Sequence, residues 1–423
     1  MSAEGPRPAP TCGPRAGSSL DAELGRRLAA LRAAGLERSL GPRENVDPRG
    51  TIDPGADSGI DPGIDFASND YLGIAGDPAA RGAVAARVRA ALDTGEMPLA
   101  PAARLLRGTL PAHLRLEERL ARFKGAEAAL LFPSGYQANV GLLTALLSPA
   151  DRAISDRHNH ASIIDGLRLA GCRKVVVPHL DLDALAAALG EEHDGRTVVV
   201  VESLYGMDGQ LAPLPEIAAL CRRSGADLVV DEAHATGLFG ARGSGWVEAC
   251  GVEGEVAAVV TTFGKALGAG GACVTGSRTL VDFLVNTCRP FLFTTATPPL
   301  LLWAVEAGLE IVATEPWRRA RALALAARLR GHLAAQGFEG LGGDGPVVPL
   351  VLGDNERAIR VAAAVRSRGF DVRAVRPPTV PPGTARLRLS VHADRTEAEV
   401  DALAAAVGEA VAAEVALPAR DAR

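Results

Sequence analysis

No apolar run in this chain is long enough to span a bilayer, so a membrane-spanning helix is not expected. Basic residues are outnumbered: 45 Lys and Arg stand against 50 Asp and Glu, a net charge of −5. A nucleic-acid surface is therefore not expected, and the acidic excess is too slight to mark another partner. The six cysteines (Cys12, Cys172, Cys221, Cys250, Cys273 and Cys288) include no Cys-x-x-Cys pair. That spacing predicts neither a metal site nor a dense disulfide framework, and it suits a reducing cytoplasm. In place of an apolar signal core, residues 1–20 carry Pro6, Pro8, Pro10 and Pro14 and are expected to form a disordered tail. No internal repeat is found.

What remains is ordinary globular composition, 48% hydrophobic and 22% charged over 423 residues, enough for two packed lobes. Leu24, Leu28 and Leu31 recur at helical spacing and predict an amphipathic helix over Asp21–Leu40. The Pro-, Gly- and Asp-rich stretch Gly41–Gly63 predicts loop with one short hairpin. Short apolar runs then alternate with helical patterns, with strands expected at Ala128–Phe132, Ala153–Ser155, Lys174–Val177, Thr197–Glu202, Asp227–Asp231, Ala257–Thr261 and Gly271–Val274. They lack polar alternation, as strands do when both faces of a mainly parallel sheet are covered.

Beyond Leu300 a long Ala/Leu/Arg helix precedes a strand over Val347–Leu352. A helix capped near Asp354 and Asn355 and stopped at Gly369 follows, then a strand over Ala385–Val391. Thr396-x-x-Glu399 is a capping box, and Val400, Leu403, Val407 and Val411 form one apolar helical face. This part reads as a smaller α+β lobe.

The chemistry is concentrated after the strands, where open parallel sheets gather their ligands. Lys265 lies on a glycine-containing loop after one buried run, and Asp231 ends another. A lysine in such a place can form an imine with an aldehyde cofactor, while a buried carboxylate needs a cation such as a protonated ring nitrogen. Pyridoxal phosphate (PLP) needs both. Ser134-Gly135-Tyr136 opens a helix whose exposed amides suit the cofactor phosphate, and Thr262 is placed to donate to it. By itself that segment is also an ordinary strand-to-helix turn. His234 is in reach of a phenolic oxygen. His160 is placed to stack on the ring, although a lone histidine there more often caps or packs.

Two other motifs fail. Asp231-Glu232-Ala233-His234 spells the tetrapeptide of helicase-type ATPases, but a phosphate loop is missing: Val259 and Ala266 stand where glycine and a hydroxyl are needed. Gly268-Ala269-Gly270-Gly271 is half a dinucleotide fingerprint, with Cys273 at the next glycine position.

Together these residues resemble the α-oxoamine synthases, PLP enzymes of fold type I, from about Leu28 to about Leu403. The markers are Phe66–Gly73, Asn159-His160-Ala161-Ser162, Met207-Asp208-Gly209, Asp231–His234 and Thr262–Lys265. The resemblance implies an α/β large domain over a mainly parallel seven-stranded sheet (76–300), preceded by an N-terminal helix and extended segment (21–75). A smaller α+β domain (301–423) follows, and the family's active sites lie at a homodimer interface. The block Val375–Pro381, with Gly383–Arg388, is similar to the branch that condenses L-alanine with a pimeloyl thioester to make 8-amino-7-oxononanoate for biotin.

Carried over, the resemblance makes Lys265 the Schiff-base lysine and Asp231 the pyridinium partner. His160 stacks on the ring, His234 contacts its phenolic oxygen, and Gly135, Tyr136 and Thr262 serve the cofactor. Arg376 and Asn69 hold the amino-acid carboxylate, and Arg38 and Thr379 help place the substrates.

Two departures stand out. Gly206 replaces a serine that usually contacts the cofactor, leaving that contact to water or Ser203. Pro98–Ala103 replaces a Gly/Ser-rich segment near the acyl substrate. A sister synthase using glycine or serine, or a non-catalytic paralogue, stays open at this point.

Overall fold

A computed structural model describes residues 19–38 and 63–416. Residues 1–18 of the expected tail and most of the expected Gly41–Gly63 loop lie outside the described residues, while Ser19 and Leu20, counted in that tail, are helical. The large sheet contains β1 (Ala128–Phe132), β2 (Arg152–Asp156), β3 (Arg173–Val177), β4 (Thr197–Glu202), β5 (Asp227–Asp231), β6 (Ala258–Thr262) and β7 (Ala272–Gly276). Their order is β1-β7-β6-β5-β4-β2-β3. All neighbours are parallel except β7, which runs antiparallel to both β1 and β6. The sheet is mainly parallel, as the unbroken apolar runs implied.

Helices cover both faces. On one side Trp303, Leu302, Val305 and Leu309 from the helix Pro299–Thr314 pack with Leu116, Leu120, Tyr71 and Phe263. On the other, helices Gly135–Leu146 and Ala161–Ala170 bury Leu142, Leu143 and Ile163 against Val198, Val200 and Val260. The edge strand β3 departs from expectation. Its Val176 is 59% exposed, and Arg173 and Lys174 are also exposed. Charges there deter edge-to-edge pairing.

A second core joins Leu325, Leu329 and Leu333 of helix Trp317–Ala335 to an antiparallel sheet of β8 (Val347–Gly353), β9 (Arg373–Val375) and β10 (Ala385–Ser390), in the order β9-β10-β8. Asp354 caps the helix Asn355–Arg366 by accepting from Arg357 N at 2.8 Å, as its sequence predicted. Thr396 and Glu399 form the expected capping box: Thr396 Oγ1 accepts from Glu399 N at 3.1 Å and Glu399 Oε2 from Thr396 N at 2.6 Å.

The first helix spans Ser19–Ala33, shorter than expected, since Gly35 turns left-handed at φ 63° just beyond it. Its Leu24, Leu28 and Leu31 stay 44, 48 and 43% exposed. Among the described residues, no helix is long and apolar enough to cross a membrane.

Candidate active site

The carboxyl ends of β1, β2, β4, β5 and β6 open into one cavity of about 340 Å³, within the usual range for small-molecule sites. Lys265, Asp231, His160, His234, Gly135, Tyr136, Thr262 and Asn69 all line it. Eight of the residues singled out in the sequence therefore converge on one site. Arg38, Arg376 and Thr379 do not line it. They gather instead where the N-terminal segment meets the small lobe. Arg376 donates to the carbonyls of Gly35 and Glu37, Arg38 Nη2 donates to Pro377 O at 3.2 Å, and Thr379 N donates to Arg376 O at 3.1 Å.

Each cavity residue is set by its neighbours. Asp231 ends β5, where Asn139 Nδ2 donates to its Oδ2 at 2.7 Å and Ala233 N donates to its Oδ1 at 2.8 Å. Both oxygens are thus oriented before any ligand arrives. His160 caps the helix Ala161–Ala170, its Nδ1 accepting from Ser162 N at 3.2 Å. The capping and cavity roles are held by one side chain. Burial lowers its pKa, helped by the Lys265 charge and opposed by Asp231.

Ser134 caps the helix Gly135–Leu146 by accepting from Gln137 N at 3.2 Å. The first-turn amides of Gly135 and Tyr136 have no partner within the helix. A Cβ at Gly135 would strike Thr262 Cγ2, so the glycine keeps this corner open. Tyr136 turns its hydroxyl outward to Asp165 Oδ2 at 2.6 Å.

Burial pulls the Lys265 ammonium down to about 8, against the attraction of Asp231 and Glu202. Glu202 was missed in the sequence, although it ends an apolar strand just as Asp231 does and pairs with it across β4 and β5. Burial and the Asp231 charge push its carboxyl up to about 8, and its Oε1 accepts from His160 N at 2.6 Å. Asn139, Tyr71 and Arg388 were given no role, although Tyr71 and Arg388 lie inside the marker blocks Phe66–Gly73 and Gly383–Arg388. Ser203 Oγ lies 3.4 Å from Asp231 O, and the His234 ring packs over Gly206.

Beside the cavity, His158, His179 and Asp208 lie close enough to suggest a cation site. Their geometry is wrong for one. The imidazoles stack at 4.1 Å and 19°, so their nitrogen lone pairs run side by side instead of converging, and Arg386 already pairs with Asp208. The cluster ties β10 of the small lobe to the loop after β4.

An amine lowered toward neutrality, an oriented carboxylate, a flat imidazole and unpaired helix-start amides surround one cavity. This donor set fits PLP: Lys265 for the aldehyde, Asp231 for the ring nitrogen, the Gly135 end for the phosphate.

Comparison with known proteins agrees. The family model for class I and II aminotransferases matches residues 61–407. The 8-amino-7-oxononanoate synthase of Anaeromyxobacter dehalogenans is 47% identical over 91% of this chain and 94% of its own. That of Alkalilimnicola ehrlichii is 41% identical over 92% and 98%. Among solved structures, a serine palmitoyltransferase from S. paucimobilis superposes with a TM-score of 0.84 at 30% identity, over 93% of this chain and 98% of its own. An 8-amino-7-oxononanoate synthase from Francisella tularensis gives 0.71 at 25% identity, over 84% and 100%. The chain belongs to the class I and II aminotransferase family and, within it, to the 8-amino-7-oxononanoate synthases, PLP-dependent acyltransferases of fold type I.

Proposed function

We propose that the protein condenses L-alanine with a pimeloyl thioester, on coenzyme A or acyl carrier protein, to give 8-amino-7-oxononanoate, carbon dioxide and free thiol in biotin biosynthesis. The observation that carries this reading is the 47% identity with a synthase of that name, joined to a cavity that keeps Lys265 and Asp231. When bound, PLP supplies the electron sink that lets an α-proton and a carboxylate leave an amino acid.

The chain's own groups do the rest. Lys265 Nζ, brought to about 8, is the base that takes and later returns the proton at the alanine α-carbon. Asp231, held by Asn139 and Ala233, is the partner of the cofactor ring nitrogen. Glu202 borders the same cavity, its carboxyl pushed up to about 8 by burial and by the Asp231 charge. His160 supports one ring face, His234 serves the phenolic oxygen, and Gly135, Tyr136 and Thr262 serve the phosphate.

Asn69 and Arg376 hold the amino-acid carboxylate, with Arg38 and Thr379 placing the substrates. The backbone carbonyls now facing Arg376 are weaker acceptors than a carboxylate, which a guanidinium fork binds bidentately.

The protein acts as a homodimer in this reading. Met97, Leu99, Leu106 and Phe293 are 59–80% exposed. They belong to two segments joined by Ala296 N donating to Ala102 O at 3.0 Å. Exposed apolar surface of this kind suits a second copy. Five described cysteines are free thiols, which supports a cytoplasmic site of action.

Product mass spectrometry with alanine, glycine and serine against a panel of acyl thioesters tests the assignment. 8-Amino-7-oxononanoate from alanine is expected; a dominant product from serine would favour the chemistry named for the S. paucimobilis neighbour.

A further inference from the structure

The His234 imidazole is held from two sides. Its Nδ1 lies 2.7 Å from the hydroxyl of Tyr71, a side chain with no solvent exposure. On the other side the ring rests on Gly206. A Cβ at residue 206 would run into His234 Nε2 and lie 2.5 and 2.6 Å from Cε1 and Cδ2. One guanidinium ties both sides together: Arg388 Nη2 donates to Tyr71 Oη at 3.0 Å and to Asn69 Oδ1 at 2.9 Å, while its Nε donates to Gly206 O at 2.6 Å.

The hydrogen-bond inventory fixes who donates. Arg388 has only donors, so Tyr71 Oη accepts from it. The single Tyr71 proton then goes to His234 Nδ1 at 2.7 Å or to Asn69 Oδ1 at 3.2 Å. Asn69 Oδ1 is already served by Arg388, and the shorter contact is to histidine. His234 Nδ1 is therefore an acceptor, and the ring's hydrogen sits on Nε2. Burial, together with the Lys265 and Arg388 charges, holds the His234 pKa well below the usual imidazole value, so the ring stays neutral. Burial raises the Tyr71 hydroxyl above the usual phenol value, so it keeps the proton it donates.

We propose that Tyr71 is a positioning residue that fixes His234 as a neutral Nε2–H donor. Tyr71 acts only through His234, so the two substitutions must not add. This inference rests on the PLP reading.

Four proteins test it: wild type, Tyr71→Phe, His234→Ala and the double variant. PLP affinity and the pH midpoint of the visible absorption of bound PLP are measured for each, with the pH profile of turnover. Tyr205→Phe serves as the control, an equally buried tyrosine whose ring packs edge-on against His179. Tyr71→Phe is expected to weaken PLP about five- to tenfold, the size of one hydrogen bond, and to move the midpoint. It should do neither in the His234→Ala background.

Additive losses in the double variant, a Tyr71→Phe protein indistinguishable from wild type, or an equal effect from Tyr205→Phe would overturn the proposal. Wild-type protein that binds no PLP would instead sink the cofactor reading, and this inference with it.

Discussion

Deleting the cation beneath the Asp231–His234 turn tests how that turn is held. Lys124 closes the helix Pro111–Lys124 and donates to Glu232 Oε2 at 2.9 Å, to Thr236 Oγ1 at 2.8 Å and to Ser244 O. The two charged side chains are 2% and 1% exposed. Glu232 Oε1 accepts from Val247 N at 2.8 Å. Gly245, at φ 147°, makes room for the carboxylate, since a Cβ there would lie 2.6 Å from Glu232 Cδ.

Lys124→Met keeps most of the stem and removes the charge, so the loss is mainly electrostatic. A buried carboxylate stripped of its cation costs about 3–5 kcal/mol. Adding Glu232→Gln removes the stranded charge while its Oε1 still accepts from Val247 N, so the double variant should recover at least about half of that loss. Urea unfolding followed by tryptophan fluorescence reads both values from the midpoint and slope. A single variant within about 1 kcal/mol of wild type, or a double variant less stable than the single, would refute the reasoning.

The other expectations concern the cavity. Lys265→Ala protein should lose the visible absorption of lysine-linked cofactor and all turnover; normal turnover would reject its role. Asp231→Asn should slow deuterium exchange at the alanine α-carbon about 10- to 150-fold, the rate equivalent of a charged hydrogen bond worth about 1.5–3 kcal/mol; unchanged exchange would reject the ring-nitrogen pairing. The rate at which cofactor-free protein captures PLP should rise with pH, because only neutral Lys265 reacts. Its midpoint should fall near 8, since burial lowers the amine from its usual 10.5. A midpoint above 10, read from the returning absorbance, would mean an ordinary solvated lysine.

Strand identity was legible because both faces of the sheet are buried: β1, β4 and β5 have the ends their apolar runs implied, and the other four shift by a residue or two. Edge position was not read, although the charges of Arg173 and Lys174 at the start of β3 are of the kind that protects an edge. Lys265 and Asp231 could be read because local chemistry marks a lysine loop and a carboxylate at a strand end. Glu202 obeys the same rule as Asp231, and the signal was available. Arg388 and Tyr71 could not be found this way: they lie 317 residues apart and acquire meaning only when β10 folds back onto the Ser68–Gly73 segment. At Gly206 the sequence shows which side chain is missing, not that the His234 ring packs over the position.

The reversed direction of β7 has a cost in tolerance. Parallel neighbours need a long crossover, but β6 and β7 turn directly into one another. The lysine loop is a short staple, pinned by Phe263 N donating to Gly271 O at 2.9 Å, Ala269 N to Phe263 O at 2.8 Å and Gly268 N to Lys265 O at 2.9 Å. Elsewhere around the rim, added residues can be absorbed by helices that shift or lengthen. Here the amine travels with any insertion, so evolution can remodel the other walls of this pocket far more freely than the hairpin that carries its nucleophile.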